Sequence, residues 1–231
     1  MNNDYASIFS SILRENQIKT NEPMKRHTTF GIGGPADCFL MPETTEEVCL
    51  ITKLAHKHEV PLFVLGGGAN LLVRDKGIRG AVVFTGRLHR MERKENLLTV
   101  ASGVPTAAAA RKALEYGLSG MEFASGIPGS IGGAAYMNAG AYGGEMAKII
   151  VSATTCDAKG DIIVHSIKDM GYGYRHSPFM QNGEVILDIT LSLKPGNQKD
   201  IEALMKDLNQ RRATKQPLEK RSAGSTFKRP D

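Results

Sequence analysis

Residues 126–144 read GIPGSIGGAAYMNAGAYGG, with seven glycines in nineteen positions and no charged side chain. Glycine loses more backbone entropy on folding than any other residue, so a dense glycine run inside a folded domain needs a local reason. Flexible linkers are polar and rich in glycine and serine, whereas this run also carries Ile127, Ile131 and Tyr136, which favour burial. The run is therefore predicted to line the binding site of a large planar ligand that carries phosphates. The alternative is an ordinary glycine-rich loop between strands.

Two further glycine clusters precede this run. Residues 66–70 read GGGAN and directly follow an apolar run at 60–65. Successive backbone N–H groups in such a turn can form a concave site for a pyrophosphate, and a plain turn is the alternative. Residues 31–36, GIGGPA, fit the pattern G-x-G-x-x-A, but the Rossmann context needs a following helix, and the strand-like CFLMP follows instead. The three clusters together predict a dinucleotide held between two lobes without a Rossmann helix.

The order of helices and strands predicted from the sequence indicates an α+β protein. Thr44 and Glu47 have the spacing of a capping box, Pro105 that of a first helical residue and Gly117 that of a helix end. Because helices and strands do not alternate regularly, we expect two small lobes rather than one doubly wound sheet. The predicted helices are 4–16, 44–58, 105–117 and 199–215, and the predicted strands are 37–41, 60–65, 81–85, 97–101, 184–193 and a hairpin of 148–156 with 161–166.

The positive charge of the chain is concentrated at its C-terminal end. The 231 residues carry a formal net charge of +5, and residues 205–231 alone hold eight basic against three acidic side chains. A cationic end indicates an anionic partner, either a phosphorylated small molecule or a nucleic acid, and a solvated helix end is the plain alternative. A nucleic-acid partner is disfavoured because this end lacks interleaved aromatic residues and any known motif.

The cysteines, the histidines and the N-terminal sequence indicate where the protein is located and whether it binds a metal. Cys38, Cys49 and Cys156 are odd in number and far apart, which predicts reduced thiols rather than a disulfide framework or a zinc site. His56 and His58 face different sides of a predicted helix, so we expect no metal. The N-terminus lacks the pattern of a secretory signal, and no apolar run approaches the roughly 18 residues that cross a membrane. We therefore expect a cytoplasmic protein without a membrane partner.

Two residues have the character of catalytic groups. Arg175 lies among Gly171, Gly173 and Tyr174, so its guanidinium could be held as a fixed fork for a carboxylate or enolate oxygen. A solvated surface arginine is the alternative. Ser225 lies in GSTF within the basic end, where its hydroxyl could deliver a proton to a carbanion or enol. A serine in such a stretch is otherwise a turn former or a cap.

Five segments of the chain stand in a characteristic order: HTTFGIGGPAD, VLGGGANLLV, GMEFASGIPGSIGGAAYMNAGAYGGE, YRHSPF and QPLEKRSAGSTFKRP. Together they resemble a known family, the UDP-N-acetylenolpyruvoylglucosamine reductases, which are flavin enzymes of bacterial peptidoglycan precursor synthesis. The resemblance runs from about Arg26 to Asp231, and no single motif decides it.

The resemblance implies a fold and a set of cofactor contacts. It implies an N-terminal helix and lead-in at 1–28, a two-lobed PCMH-type FAD-binding domain at 29–195 with lobes at about 29–87 and 88–195, and the start of a substrate-binding domain at 196–231. It also implies that two backbone stretches cradle FAD with a third stretch beside them. The implied cofactor-binding residues are Gly66, Gly67, Gly68, Ala69, Asn70, Leu71, Gly126, Ile127, Pro128, Gly129, Ser130, Gly132, Gly133, Asn138, Gly140, Ala141 and Tyr142.

The resemblance further implies a reaction. NADPH would reduce the FAD and leave, and the enolpyruvyl UDP-sugar would then bind and receive the hydride at its vinyl carbon, giving UDP-N-acetylmuramate. Arg175 matches the family arginine that stabilises the enolate-like charge, which is usually the largest catalytic contribution. Ser225 matches the serine that protonates the adjacent carbon. The expected partner is this small-molecule substrate, and a monomer without nucleic acid or membrane is expected.

One departure from the family pattern concerns the C-terminal end. Family members continue past GSTF through a substrate domain that carries a catalytic glutamate, whereas this chain ends at Asp231. We therefore expect a C-terminally truncated chain with a complete flavin half and an incomplete active site. A non-catalytic flavin- or nucleotide-binding fragment is the alternative. The separation of Arg175 from Ser225 implies the shorter family type, which lacks an extra tyrosine-bearing loop.

Overall fold

Two β-sheets built from successive parts of the chain form the framework of the protein. The structure, a computed structural model, describes residues 5–224. The helices are α1 (Tyr5–Phe9), α2 (Thr45–Lys57), α3 (Thr106–Glu115), α4 (Ile131–Tyr136), α5 (Phe179–Asn182) and α6 (Gln198–Lys215). The strands are β1 (Ile18–Pro23), β2 (Pro35–Leu40), β3 (Leu62–Leu65), β4 (Ile78–Phe84), β5 (Met91–Lys94), β6 (Leu97–Ala101), β7 (Leu118–Ser119), β8 (Gly140–Ala141), β9 (Gly144–Glu145), β10 (Ile150–Cys156), β11 (Ile162–Ser166), β12 (Val185–Ser192) and β13 (Lys194–Pro195).

The first sheet has four strands in the order β1-β2-β4-β3. β1 is antiparallel to β2, whereas β2 and β3 both run parallel to β4, and α2 makes the crossover from β2 to β3. Successive side chains of β2 point to opposite faces: Cys38 and Leu40 pack with Phe9 and Ile51, while Phe39 packs in a separate cluster on the other face. Both faces of β2 are covered, which explains why this stretch reads as a nearly continuous apolar run.

The second sheet has five antiparallel strands in the order β11-β10-β12-β6-β5 and contains the largest core. α3, α4 and α6 contribute buried side chains to this core. Helix α2 joins the two sheets, since Val48 packs in the core of the second sheet and Ile51 and Ala55 pack in that of the first. On the same helix Thr52 Oγ1 lies 3.1 Å from Cys156 Sγ of β10. The two sheets are therefore held against each other by one shared helix.

Most predicted elements are confirmed, and the exceptions have local causes. β6 has its predicted bounds, α2 and α6 lie within one or two residues of theirs, and β10 pairs with β11 as the predicted hairpin. The N-terminal helix is shorter than predicted. Gln17 is buried, accepts the Arg14 N–H (3.0 Å) and donates to Glu47 Oε2 (2.8 Å), which turns the chain into β1.

The predicted helix starts are confirmed in position but differ in detail. Thr44 Oγ1 accepts the N–H of Glu47 (3.1 Å), as the capping box requires. The Glu47 carboxylate, however, accepts the N–H of Glu43 (2.7 Å) rather than that of Thr44. Pro105 is the N-cap of α3 instead of its first residue. No helix among residues 5–224 is long and apolar enough to cross a membrane.

Candidate functional site

The two glycine segments singled out from the sequence are in direct contact. A Cβ on Gly67 would lie 2.6 Å from the Cα of Gly129, and a Cβ on Gly66 would collide with Ser130 Oγ. Residues 66–68 leave the first sheet where β3 ends, and residues 129–130 lead into α4 beside the second sheet. Only residues without side chains allow the two backbones to come this close. The contact forms one continuous strip of backbone across the junction of the sheets.

Hydrogen bonds fix the shape of this strip. Ser130 Oγ accepts the N–H of Gly133 (3.4 Å) and so caps α4, as serine commonly does at a helix N-cap. The carbonyl of Gly68 accepts the N–H of Thr29 (3.1 Å), which ties the strip to the loop after β1. The side chain of Thr29 in turn donates to the carbonyl of Ser222 (2.6 Å). The loop before β2 and the segment after α6 therefore both border the open space beside this strip, which we call the groove.

A cavity of about 290 Å³ opens beside the strip and is lined by Arg26, His27, Thr28, Thr29, Gly66, Gly67 and Phe84. Small-molecule pockets have volumes of roughly 300–1,000 Å³, so a cavity of this size could take one part of a dinucleotide. Residues 26–29 were not predicted from the sequence to be part of a site. The signal that could have indicated one is the polar HTT directly before the GIGG turn.

The wall of the cavity combines an aromatic stack with a hydrogen bond between a histidine and a buried carboxylate. The His27 ring stacks on Phe39, with 4.2 Å between the ring centroids, and its Nε2 lies 2.8 Å from Glu22 Oε1. Burial by itself raises the pKa of Glu22, but the hydrogen bond with His27 and the charges of Lys19 and Arg26 outweigh burial and lower it. The Glu22 carboxylate therefore holds His27 in a fixed orientation at the cavity wall.

Arg175 sits at the tip of a two-residue turn and lies against the end of the glycine run. Gly173 and His176 exchange two backbone hydrogen bonds of 3.1 Å, and Arg175 between them has a φ of 53°. Its guanidinium donates to the carbonyls of Asn138 (Nη1, 3.3 Å) and Gly140 (Nη2, 3.5 Å). The predicted catalytic arginine is therefore hydrogen-bonded to the later part of the same glycine-rich run, 126–144, whose Gly129 meets Gly67.

Asn138 is buried, with 3% of its surface exposed, and its side chain is used within the protein. Its Nδ2 donates to the carbonyl of Gly173 (3.0 Å) and lies 3.4 Å from Glu145 Oε2, while its Oδ1 accepts the N–H of Ala147 (2.9 Å). The backbone N–H donates to Ala135, and the carbonyl accepts from Arg175. Every polar group of Asn138 has a protein partner, so a cofactor contact by this residue, as predicted, would have to be apolar.

The other predicted site residues occupy different positions along the groove. Gly126 is covered by α6, since a Cβ there would lie 2.5 Å from Asn209 Oδ1, and Ile127 packs against the larger core. Gly132 donates its N–H to the carbonyl of Ser102 (2.9 Å). Asn70, Pro128, Gly133 and Tyr142 are exposed, and Ala69, Leu71, Gly140 and Ala141 are partly buried. Ser225 lies outside the described residues.

A buried hydroxyl next to Gly132 was not singled out by the sequence analysis. Ser102 is 2% exposed, and its Oγ has no hydrogen-bond partner within the described part of the chain. Leaving a buried hydroxyl unpaired costs free energy, so a bound water or a ligand is expected to complete such a group. The only sequence signal was the ASG triplet after β6. In contrast, no group of three His, Cys, Asp or Glu side chains in residues 5–224 could hold a metal.

The fold and this strip define a flavin-binding protein. A family model described as an FAD binding domain matches residues 36–166. The fold alone is shared with alkyldihydroxyacetonephosphate synthase, at 17% identity and a TM-score of 0.62 over 83% of this chain and 43% of that one. The side-chain-free contact between the glycine segments and the unpaired Ser102 hydroxyl fit a large bound cofactor.

Closer relatives identify the family within this class. The UDP-N-acetylenolpyruvoylglucosamine reductase of Clostridium kluyveri is 46% identical over 98% of this chain and 75% of its own length. That of Staphylococcus carnosus is 42% identical over 98% of this chain and 74% of its own length. The crystal structure of this reductase from Thermus caldophilus has a TM-score of 0.78 at 33% identity, covering 90% of this chain and 73% of that one. The chain belongs to the UDP-N-acetylenolpyruvoylglucosamine reductase family and spans about three quarters of the length of these relatives.

Proposed function

We propose that this protein is an FAD-dependent oxidoreductase that reduces UDP-N-acetylglucosamine enolpyruvate to UDP-N-acetylmuramate with NADPH, in peptidoglycan precursor synthesis. One observation carries the proposal: Arg175 is hydrogen-bonded to the carbonyls of Asn138 and Gly140, in the same glycine-rich run whose Gly129 meets Gly67 across the sheet junction. The alternative of a non-catalytic flavin-binding fragment is not favoured, because the relatives that match 98% of the chain bear the name of the reductase.

The cofactor would be held by backbone rather than by charged side chains. FAD, when bound, accepts a hydride from NADPH and passes it to the enolpyruvyl group. Residues 66–68 and 129–130 supply backbone that can approach a flat ring and a pyrophosphate closely, since no side chain projects from most of these positions. His27 and Arg26 would line the end of the cofactor that enters the cavity. The unpaired Ser102 hydroxyl would gain a partner on the cofactor.

Arg175 would stabilise the negative charge that develops on the substrate. Addition of hydride to the vinyl carbon leaves an enolate charge conjugated to the carboxylate, and a planar guanidinium can donate two parallel hydrogen bonds to such oxygens. Groups that are already oriented towards the developing charge lower the barrier most. The carbonyls of Asn138 and Gly140 provide this orientation. Ser225 would then protonate the neighbouring carbon, in the role that the family resemblance gives it.

We further propose that the protein acts in the cytoplasm as a monomer, without nucleic acid or membrane, and that its activity supports cell shape and division. The proposed substrate and reductant both carry diphosphates or phosphates, which agrees with the excess of basic residues over 205–231.

Two half-reactions measured on the purified chain test the proposed function. The protein should be yellow, with flavin absorption at about 450 nm, and anaerobic NADPH should bleach this band. Mixing the reduced protein with UDP-N-acetylglucosamine enolpyruvate in a stopped-flow instrument should restore the absorption. Bound FAD without reoxidation by the substrate would support a binding module instead. Protein that remains colourless after incubation with FAD would overturn the proposal altogether.

A further inference from the structure

Asn138 ends helix α4 in a conformation that normally selects glycine. Its φ is 42°, its N–H donates to the carbonyl of Ala135 (3.2 Å), and the next N–H, of Ala139, donates to Ala134 (2.8 Å). These two bonds define a Schellman motif with Asn138 at the left-handed C′ position, where glycine is the usual residue. The surrounding run is rich in glycine, yet this position carries a side chain. Asparagine is the side-chain-bearing residue that this position accepts most readily, and here, unlike at exposed Asn21, its amide is buried and hydrogen-bonded within the protein.

The side chain of Asn138 connects the end of α4 to the base of the Arg175 turn. Nδ2 donates to the carbonyl of Gly173, which is also one of the two residues that close the turn. Oδ1 accepts the N–H of Ala147 (2.9 Å), which fixes the plane of the amide and therefore the direction of Nδ2. At the tip of the same turn, the Arg175 guanidinium donates to the Asn138 carbonyl. One buried residue thus contacts both the base and the tip of the turn.

We propose that Asn138 is a positioning residue for Arg175. This proposal rests on the function proposed above. Asn138 holds the turn that carries Arg175 in place, so that the guanidinium lies at the correct distance from the substrate oxygen on which negative charge develops. Misplacement of a reacting group by about 1 Å can slow a reaction by about a hundredfold, even when the change lies outside the chemistry. Asn138 itself would touch neither the reacting atoms nor the cofactor through a polar group.

Two substitutions separate the side chain from the backbone conformation. Asn138→Gly keeps the left-handed conformation at no steric cost and removes the amide. Asn138→Asp keeps the shape and the acceptor for Ala147 but places a carboxylate oxygen against the Gly173 carbonyl and the Glu145 carboxylate. Asn21→Gly is the matched control, because Asn21 also has a positive φ (53°) but is exposed on β1 of the first sheet, whereas the Arg175 turn lies between β11 and β12 of the second.

The test measures the rates of both half-reactions in each variant. It also measures amide hydrogen exchange in the FAD-loaded protein without substrate. Asn138→Gly should retain FAD, and its rate of flavin reduction by NADPH should stay within about twofold of the parent rate. The rate of flavin reoxidation at saturating enol substrate should fall about ten- to a hundredfold. Exchange at the Gly173 and His176 amides should rise, since the turn loses its anchor. Asn138→Asp should show the same pattern, and Asn21→Gly should show none of it.

A double-mutant cycle shows whether the effect passes through Arg175. If it does, adding Asn138→Gly to Arg175→Ala should slow reoxidation by no more than about twofold beyond Arg175→Ala alone. Fully additive losses, equal losses in the NADPH half-reaction, or unchanged exchange at 173–176 would each overturn the positioning role. Failure of Asn138→Gly to fold, with Asn138→Asp folded and active as the parent protein, would overturn it as well. If Arg175→Ala alone reoxidises normally, the proposed role of Arg175 fails first, and the exchange result then shows separately whether Asn138 anchors the turn.

Discussion

Gly67 and Gly129 are 62 positions apart, yet a Cβ on Gly67 would lie 2.6 Å from the Cα of Gly129. The first residue follows a strand of one sheet and the second precedes a helix that packs on the other. This contact sets how closely the two halves of the proposed FAD cradle approach each other. A side chain at either position therefore acts on the geometry of the junction rather than on one loop.

Gly67→Ala should open this junction and weaken cofactor binding. The added methyl group has no space against Gly129, so we expect an overpacking cost of about 1–3 kcal/mol in the free energy of unfolding and at least about a tenfold loss of FAD affinity. Fluorescence titration of FAD into the stripped protein measures the affinity. Gly171→Ala is the control, because a Cβ on exposed Gly171 meets nothing within 4 Å. Parental FAD affinity in Gly67→Ala would show that the contact is not part of the cradle.

Arg175→Ala should affect only the half-reaction that uses the enol substrate. Loss of the charge-stabilising fork should slow flavin reoxidation about a hundredfold to a thousandfold, while flavin reduction by NADPH stays unchanged. Arg93→Ala is a closely matched control: each arginine lies 5.3 Å from a tyrosine ring centroid and donates to backbone carbonyls, but Arg93 belongs to β5, away from the groove. Slower NADPH reduction in Arg175→Ala would contradict the assigned role.

Glu22 should contribute stability that depends on pH. Its pKa is lowered from the ordinary 4.5: burial opposes this, but the hydrogen bond with His27 and the neighbouring cations outweigh burial. A carboxyl whose pKa is lowered on folding stabilises the protein fully above its unfolded pKa, and this contribution is lost as the pH falls through the folded value. We expect Glu22→Gln to cost about 1–3 kcal/mol at pH 7.

The difference between Glu22→Gln and the parent protein should shrink as the pH falls below 4.5. Urea unfolding at a series of pH values measures it. Glu92→Gln removes an exposed partner of Arg90 and should change the free energy of unfolding by less than about 1 kcal/mol at any pH. A difference for Glu22→Gln that grows towards acid pH would contradict the direction of the pKa shift.

Ser102→Ala should have opposite effects on the free and the FAD-loaded protein. Removing a buried hydroxyl that lacks a partner relieves its desolvation cost, so the cofactor-free protein should be unchanged or more stable by up to about 1–3 kcal/mol. FAD affinity should fall, because the hydroxyl would pair with the cofactor. Tyr172→Phe removes the other unpaired buried hydroxyl found within residues 5–224 and should leave FAD affinity as it is. Equal FAD affinities for both variants would show that the Ser102 hydroxyl does not contact FAD.

The sequence predicted those parts of the protein that depend on local pattern. Short-range preferences account for the helical spacing of apolar residues in α2, the strand-forming residues of β6 and the hairpin of β10 with β11. The structure has these elements at or near the predicted bounds. β1 was missed because IKTNEP shows no alternation and four of its six side chains are polar, so its pairing with β2 depends on a long-range partner.

The same distinction applies to the site. Glycine density predicted which backbone stretches matter, and the structure brings residues 66–68 and 129–130 together. Sequence could not indicate that His27 stacks on Phe39 or that the Asn138 amide is occupied by Gly173 and Ala147. Those contacts join residues that are 9 to 35 positions apart in chain order and depend on how the loops beside each sheet fold back, for which no local period exists.

Helix α2 supplies Val48 to one core and Ile51 with Ala55 to the other. Neither sheet can lose its packing without uncovering part of the same helix, so heat or urea should melt both in one cooperative step. A ligand that binds across the junction would then raise the midpoint of that single step, and its effect would be felt equally by strands far from it.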